Sequence, residues 1–210
     1  MNNNENNTTQ AVAENTAPEK KKSSFLSELF DYFELFILSA CCVLIVFSFV
    51  TRICRVSGDS MLNTLYNSET LIVSDILYNP ERGDIIVFHQ TGDQPGDLNE
   101  PVVKRVIATE GEWIDIEVNN NRLTVTIYDS NKENPQVLDE DYANYLMGTG
   151  YYRYTNYPIQ VPEGCIFVMG DNRGNSLDSR SDSIGFVDVR RVLGKVVCRV
   201  LPFDKFGTVN

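Results

Sequence analysis

An uncharged apolar run near the N-terminus constrains the fold of this chain more than any other feature. Residues 35–50, LFILSACCVLIVFSFV, contain no charged side chain, and the apolar stretch continues to Ile53 with Arg52 interrupting it. About 20 helical residues cross the hydrocarbon core of a bilayer. Residues 33–53 reach that length if the Arg52 side chain extends to the interface. The run therefore predicts a transmembrane helix.

Two other interpretations of this run compete with an uncleaved membrane anchor. A buried core helix is disfavoured, because the run is apolar on all sides and follows a polar segment. A cleaved signal peptide would agree with the lysines at 20–22, but no site of small residues follows the run and the segment before it is long. An uncleaved anchor therefore fits best. The same lysines, against Arg52 and Arg55 on the other side, favour an N-terminus in the cytoplasm.

The segments around the run complete the predicted domain organisation. Residues 1–24 are rich in Asn, Thr and Glu and poor in large apolar residues, which predicts a disordered cytoplasmic tail. In FLSELFDYFELF, residues 25–36, apolar side chains recur at helical spacing and indicate an amphipathic lead-in. We therefore assign residues 25–53 to the lead-in and transmembrane anchor, and residues 54–210 to an extracytoplasmic domain.

Short β-type runs fill the chain after the predicted anchor. Val, Ile, Phe and Tyr dominate these runs, and Gly, Pro, Asn and Asp separate them. The pattern predicts a mainly β fold of antiparallel strands. Residues 129–160, rich in Asn, Asp and Tyr, predict a surface excursion with little regular structure. The runs are LIVSDIL (71–77), DIIVFH (84–89), VVKRVIA (102–108), WIDIEV (113–118), RLTVTIY (122–128), CIFVMG (165–170) and KVVCRV (195–200).

The acidic balance and the cysteine pattern exclude some functions. The formal net charge is −11, and an acidic surface repels phosphates, so nucleic-acid binding is not expected. The five cysteines include no CxxC motif, and with a single histidine they match no zinc-site pattern. We therefore expect no metal and no cofactor. A disulfide between Cys165 and Cys198 requires their strands to be neighbours, and two free buried thiols are an alternative at least as good.

A serine and a lysine are the best candidates for catalysis. The single histidine, His89, lies where a predicted strand runs into a loop, which favours a surface position. A serine hydrolase would then need another base, and a buried lysine can serve because burial lowers the pKa of its amine. Lys104 lies in the run VVKRVIA, where strand alternation directs Lys104 and Arg105 to opposite faces. We expect one of them to face the interior and the other to face water.

Two polar segments could complete such a site. Ser60 lies in SGDSMLNTL (57–65), where Gly58 permits unusual backbone angles and the turn can present the serine hydroxyl with its own N–H. The segment VPEGCIFVMGDNRGNSLDSR (161–180) runs from a strand into a polar loop. An ordinary surface loop is one interpretation. The density of hydrogen-bonding groups after a buried strand favours a fixed network.

These segments, in this order, resemble the bacterial type I signal peptidases, especially their compact Gram-positive form. The boxes of that family read roughly G-D-S-M-x-P-T-L, K-R-V-I-A-x-x-G-D and G-D-N-R-x-N-S-x-D-S-R. This chain has GDSMLNTL at 58–65, KRVIATEGE at 104–112 and GDNRGNSLDSR at 170–180, and GDIIVF at 83–88 is similar to a fourth box. The resemblance covers about residues 30–205. It implies an antiparallel β-sheet catalytic domain of the signal-peptidase type behind one N-terminal transmembrane helix.

The resemblance also implies roles for individual residues. Ser60 matches the nucleophile and Lys104 the general base of a Ser/Lys dyad. Ser176 matches the serine that orients the lysine amine, and Asp178 with Arg180 matches a supporting pair.

Further positions follow from the same resemblance. Gly58 stands where some relatives have a serine in the oxyanion hole, so the Ser60 N–H must carry more of that role. Two departures are Asn63, where the family has proline, and Glu112, where it has aspartate. The positions that match the substrate pockets are Val56, Met61, Leu65 and Val103.

The implied activity is that of a membrane-bound serine endopeptidase. It would cut signal peptides from secreted preproteins after small residues, through an acyl-enzyme, next to the lipid bilayer and as a monomer. We expect the substrate to lie as an added β-strand beside the serine segment and residues 84–88. Two alternatives are a self-cleaving Ser/Lys protease related to repressors, and a membrane-tethered binding domain without activity. An intact Ser60, Lys104 and Ser176 argue against the inactive alternative.

Overall fold

The computed structural model describes residues 25–90, 100–120, 122–144 and 156–209. The chain divides into two units, Met1–Leu44 and Ile45–Asn210. The tail predicted for residues 1–24 lies outside the described residues.

Helix α1, Phe25–Val50, includes the predicted lead-in and most of the predicted anchor. Over residues 25–45, every side chain except Ala40 is exposed. In the described part of the chain, no helix combines the length and the apolar character needed to cross a membrane. The helix also ends earlier than the apolar run does.

Residues 51–53 belong to a strand, which corrects the expected end of the helical segment. Strand β1, Thr51–Arg55, follows α1 directly and pairs antiparallel with β2, Thr70–Ser74. Thr51 and Ile53 are β-branched and suit a strand. Their ladder with β2 is a long-range contact, which the apolar pattern alone could not reveal.

The second unit contains two antiparallel sheets in its described part, which confirms the mainly β prediction. The larger sheet has seven strands in the order β1-β2-β11-β3-β4-β9-β10, and the smaller has four in the order β7-β6-β5-β8. Besides β1 and β2, the strands are β3 Ile85–His89, β4 Pro101–Ala108, β5 Trp113–Asn119, β6 Arg122–Tyr128, β7 Gln136–Val137, β8 Ile159–Gln160, β9 Cys165–Met169, β10 Val187–Asp188 and β11 Val192–Leu201. Two short 3-10 helices, Val189–Arg191 and Phe203–Lys205, flank β11.

The region 129–160 contains few residues of regular structure in its described part. Two strands of two residues each, β7 and β8, lie within it and form the two edges of the smaller sheet. The surface excursion remains a prediction. Residues 145–155 lie outside the described part.

Three apolar clusters form the core of the second unit. One joins the two sheets, with Phe167 of β9 packed among residues of β5 and β6, such as Ile114 and Val125. A second lies under the Ser60 segment and includes Met61 and Leu65. The third covers another part of the larger sheet and includes Phe88, Ile86, Val106, Ile166, Val168 and Val187.

The cysteines are free in this fold. Cys165 lies on β9 and Cys198 on β11, and β3 and β4 separate these strands. Three strand spacings amount to about 14 Å, whereas a disulfide requires Cα atoms within roughly 7 Å. Both thiols are therefore free, but they are half-buried and not buried as that alternative expected.

Candidate active site

Ser60 lies in the loop that joins β1 to β2, residues 56–69, called the serine loop below. The base of the loop is closed by the Val56 N–H, which donates to the Glu69 carbonyl at 2.8 Å. Met61 and Leu65 are buried in the core, and the Leu65 N–H donates to the Met61 carbonyl at 2.8 Å in a helix-like turn. Core packing and backbone bonds therefore fix the position of Ser60.

Lys104 lies in β4, opposite Ile86 of β3. Its Nζ lies 2.8 Å from Ser60 Oγ and 2.9 Å from the Val103 carbonyl oxygen. The residue is only 3% exposed. The structure thus brings together the serine and the lysine that the sequence singled out, and it excludes most water from the amine.

Burial changes the acid–base properties of this amine. It lowers the pKa of Lys104 from 10.5 to about 8. Three neighbouring charges have smaller effects than burial. The carboxylates of Asp178 and Asp171 raise that pKa, and the Arg180 guanidinium lowers it. At pH 7 about one-tenth of the amine is therefore uncharged and able to accept a proton from a hydroxyl, against less than about one-thousandth for a lysine with the ordinary pKa of 10.5.

The loop after β9, residues 170–180, holds the backbone around Ser60. The Asn172 N–H donates to the Ser60 carbonyl oxygen at 3.0 Å, and the Asn172 side-chain amide donates to the Asp59 carbonyl at 3.0 Å. Gly170 makes room for this approach, because a Cβ at that position would lie 2.4 Å from the Ser60 carbonyl oxygen. Close packing therefore requires glycine at position 170.

Asp178 and Arg180 form a buried ion pair within the same loop. Nε and Nη2 of Arg180 donate to the carboxylate at 2.8 and 2.7 Å, and the Gly170 N–H donates to it at 3.0 Å. Burial alone would raise the pKa of Asp178, but these donors stabilise the charged form and lower it. The loop is thus braced by charges that largely cancel near Lys104.

Ser176 is buried close to Ser60. Its hydroxyl has no hydrogen-bond partner of normal geometry among the described residues, although it is near enough to Asp178 to help lower the pKa of that carboxyl. It also makes no hydrogen bond to Lys104 in that part of the chain, so the expected orienting role remains a prediction. Ser176 and Ser60 both pack against Gly170. A Cβ added to Gly170 would lie 2.2 Å from Ser176 Oγ and 2.4 Å from the Ser60 carbonyl oxygen.

Arg105 is buried as well, so the expectation that either Lys104 or Arg105 faces water is wrong. Nε and Nη2 of Arg105 donate to the Asp171 carboxylate at 2.9 and 2.8 Å, and Nη1 donates to the Gly83 carbonyl at 2.8 Å. The paired carboxylate permits burial of the guanidinium. Arg105 and Asp171 are 2% and 0% exposed.

Sequence reasoning missed three residues that contact this ion pair or its neighbours. Thr64 of the serine loop donates its hydroxyl to Asp171 Oδ2 at 2.5 Å. The Tyr142 ring lies over the Arg105 guanidinium at 3.7 Å, and Glu140 pairs with Arg173 at 2.6 Å. Thr64 belongs to the segment GDSMLNTL, so the family resemblance could have identified it. The other two lie in the irregular region, where no pattern indicated a role.

The backbone N–H groups of the serine loop differ in availability. Gly58 has a φ of +89°, and its N–H donates to Asn67 Oδ1 at 3.3 Å. A serine in that conformation would be strained. The Ser60 N–H donates to no acceptor among the residues described. It is therefore available to receive a negatively charged oxygen.

The four residues expected to line substrate pockets lie together. Val56, Met61 and Leu65 share one core cluster, and Val103 packs against it. Leu65 has no exposed surface, so it can only support a pocket wall formed by others. The pocket assignment remains a prediction.

Asn63 adopts a backbone conformation that proline cannot. Its φ is +85°, whereas the proline ring fixes φ near about −65°. The Asn63 side-chain amide donates to the Tyr142 carbonyl at 3.3 Å. The departure from the family box therefore coincides with a different local backbone and a new contact.

His89 is outside this arrangement. It ends β3, is exposed and pairs in the ladder with Pro101, which confirms the surface position. Within the described ranges, no group of three or more His, Cys, Asp or Glu side chains is arranged to hold a metal ion.

Gly170→Ala tests the close packing behind Ser60. The added Cβ must displace the Ser60 carbonyl, so we expect reaction of Ser60 with a serine-directed fluorophosphonate to slow by about tenfold or more. Gly111→Ala is the control for general backbone strain, because Gly111 has a positive φ of +80° that disfavours alanine, but its Cβ would meet nothing closer than 3.7 Å. Equal labelling rates in both variants would contradict the packing argument.

Lys104→Met tests the burial of the amine through stability. Burial of the charged form destabilises the folded protein fully below about pH 8, and this penalty declines as pH rises from 8 to 10.5. We expect the variant to unfold at higher urea than wild type at pH 7, with a difference that shrinks above pH 8. Unfolding can be followed by the fluorescence of Trp113, the single tryptophan. A gain in stability that does not change with pH would attribute the effect to packing instead of to the charge.

Comparisons with known proteins agree with the family that the boxes indicated. The family model for signal peptidase, peptidase S26, matches residues 29–201. A signal peptidase I of Leptolyngbya laminosa is 35% identical over 82% of this chain and 80% of its own length. A signal peptidase I of Bacillus caldolyticus is 35% identical over 81% and 90%, and signal peptidase IB of Staphylococcus aureus strain Mu50 is 32% identical over 77% and 84%.

A solved structure is also similar. The crystal structure of a signal peptidase I from Enterococcus faecalis V583 is 31% identical, covers 56% of this chain and 97% of its own, and gives a TM-score of 0.38. With a family model that matches most of the sequence and relatives above 30% identity, this chain belongs to the signal peptidase family, peptidase S26.

Proposed function

We propose that this chain is a signal peptidase I, a serine endopeptidase that removes N-terminal signal peptides from secreted preproteins. One observation carries the proposal: the amine of Lys104, 3% exposed, lies 2.8 Å from the hydroxyl of Ser60. A hydroxyl needs a base to become a nucleophile, and a lysine with a pKa of about 8 can supply one. The names of the relatives indicate the substrate class.

In this mechanism Ser60 Oγ attacks the scissile carbonyl carbon while its proton passes to Lys104 Nζ. The carbonyl oxygen becomes an oxyanion and accepts a hydrogen bond from the Ser60 N–H. The carbon–nitrogen bond then breaks, and the Lys104 ammonium gives its proton to the leaving amine. Water attacks the acyl-enzyme and gives a proton to Lys104, which returns it to Ser60 as the new carboxyl end leaves.

Three polar residues are proposed to support this exchange. Ser176 is buried beside Ser60 with an unpaired hydroxyl in the described structure, and it can turn to accept a hydrogen bond from the Lys104 ammonium. The Asp178–Arg180 pair fixes the loop that carries Ser176, through bonds to the Gly170 N–H and, from Arg180, to the Arg173 carbonyl.

Neither edge of the strand that contains residues 85–88 is open to a substrate strand, although we expected one beside residues 84–88. Strand β3 has β11 on one side and β4 on the other, so both of its edges are occupied. Strand β4 pairs with β9 only from Arg105 onward. Within the described residues, positions 101–104 thus have a free edge next to the dyad. We propose that an extended peptide adds to this edge.

The pocket residues suit small side chains in that peptide. Val56 and Met61 are 5% and 2% exposed, so each offers a bound strand only a small apolar surface. A shallow surface accepts alanine and excludes larger residues, because extra methylenes in a packed site are destabilising. The proposed specificity is for alanine-like residues at the first and third positions before the cut.

The dyad is tested by variants and by pH. We expect Ser60→Ala and Lys104→Met each to lose cleavage of a preprotein by at least about 10³-fold, with folding retained. Because the neutral amine is the base, kcat/KM of wild type should rise with pH and reach half its maximum near pH 8. Mass spectrometry of the products reports the site of cleavage.

The control for this experiment is Lys132→Met, which changes an exposed lysine in the turn between β6 and β7. Its rate and pH profile should match wild type. Cleavage by purified Lys104→Met, or a midpoint near pH 10.5 in wild type, would exclude Lys104 as a buried base.

We also propose that α1 anchors the enzyme in the membrane, with the N-terminus in the cytoplasm and the catalytic unit outside. The uncharged run 35–50 and the exposed apolar side chains of the helix support this. A helix of 26 residues is about 39 Å long, against roughly 30 Å for a hydrocarbon core.

Topology is tested by protease shaving of spheroplasts that express the full chain. We expect loss of the catalytic unit without lysis, and retention of the protein in the membrane fraction after alkaline carbonate extraction. A catalytic unit that is degraded only after lysis would reverse the proposed orientation. Release by carbonate would show surface attachment instead of a span.

A further inference from the structure

The segment 140–144 crosses the back of the catalytic site and is called the strap below. It binds the 170–180 loop at Asn144, whose N–H donates to the Asp171 carbonyl at 2.8 Å and whose carbonyl accepts from the Arg173 N–H at 3.1 Å. At its other end, the Glu140 carboxylate pairs with the buried Arg173 guanidinium at 2.6 Å. The strap is therefore attached to this loop at both ends.

Tyr142 connects the middle of the strap to the serine loop by two routes. Its carbonyl oxygen accepts a hydrogen bond from the Asn63 side chain at 3.3 Å. Its ring covers the Arg105 guanidinium at 3.7 Å, and Arg105 holds the Asp171 carboxylate that accepts from Thr64. The two routes thus end three and four residues after Ser60.

The ring of Tyr142 also protects the ion pair from water. Arg105 and Asp171 are almost completely buried, and an aromatic ring over a guanidinium gives a cation–π contact that strengthens when water is excluded. The Tyr142 hydroxyl donates to Glu140. Because Glu140 keeps its bond to Arg173, loss of that hydroxyl alone leaves the strap attached.

We propose that Tyr142 is a positioning residue for catalysis: its ring over Arg105 supports the Asp171 carboxylate that holds Thr64, and the serine loop thereby keeps Ser60 in reach of Lys104. This inference rests on the dyad proposed above. Tyr142 makes no contact with the reacting atoms. Its effect is on the geometry of attack, where a displacement of about 1 Å lowers the rate strongly.

Tyr142→Ala and Tyr142→Phe in the full-length protein test this role. We expect Tyr142→Ala to lower kcat for a signal-peptide substrate about tenfold and to leave KM within about twofold. Tyr142→Phe keeps the ring over Arg105 and should restore kcat to within about twofold of wild type. Tyr128→Ala is the matched control, because Tyr128 is a half-buried tyrosine of β6 in the smaller sheet, and its kcat should equal that of wild type.

A second measurement separates this inference from the proposed function. The rate at which a serine-directed fluorophosphonate labels Ser60 reports the position of the hydroxyl without any peptide. If wild type is labelled but cleaves no signal peptide, the proposed function fails, and slower labelling of Tyr142→Ala still supports the strap. Equal labelling of Tyr142→Ala and wild type, no rescue by phenylalanine, or a loss confined to KM would each overturn the positioning role.

Discussion

The contact between the Lys104 amine and the Ser60 hydroxyl depends on keeping water away from a group that prefers to be charged. A strand lysine usually extends into solvent, but here the sheet and two loops cover its full length. The protein thereby gives up part of its stability to lower the pKa of this amine. In exchange for this loss of stability, the amine lies 2.8 Å from a hydroxyl, and water does not compete for the contact.

Buried ion pairs fill the surroundings of Lys104 with polar groups that need no water as a partner. Arg105–Asp171, Arg180–Asp178 and Arg173–Glu140 surround the site, and their side chains are almost completely buried. Such pairs contribute little net stability, because their desolvation offsets their attraction. Removal of one partner, however, leaves a buried charge that is strongly destabilising. The arrangement therefore favours one geometry for the loops around the dyad over every relaxed alternative.

Short-range patterns indicated the antiparallel fold, and the resemblance to a known family indicated the dyad. Alternation and turn residues located most strands of the larger sheet, and the boxes located the serine and the lysine. Contacts between residues far apart in the sequence could not be predicted from these patterns. Arg105 is buried only because Asp171, far along the chain, neutralises it. Strand Thr51–Arg55 continues an apolar run without any turn residue, so nothing local separates it from the helix. Tyr142 lies in a segment without periodicity, and only its contacts reveal it.

The position of the last long strand determines how the two halves of the site are held together. Strand β11 lies between β2 and β3, so it joins the hairpin that carries the serine loop to the hairpin that carries Lys104. Without Val192–Leu201 no strand would pair these hairpins, and loop contacts such as the bond from the Asn172 N–H to the Ser60 carbonyl would have to connect them. The distance between the serine hydroxyl and the lysine amine therefore depends on a strand that contributes neither group.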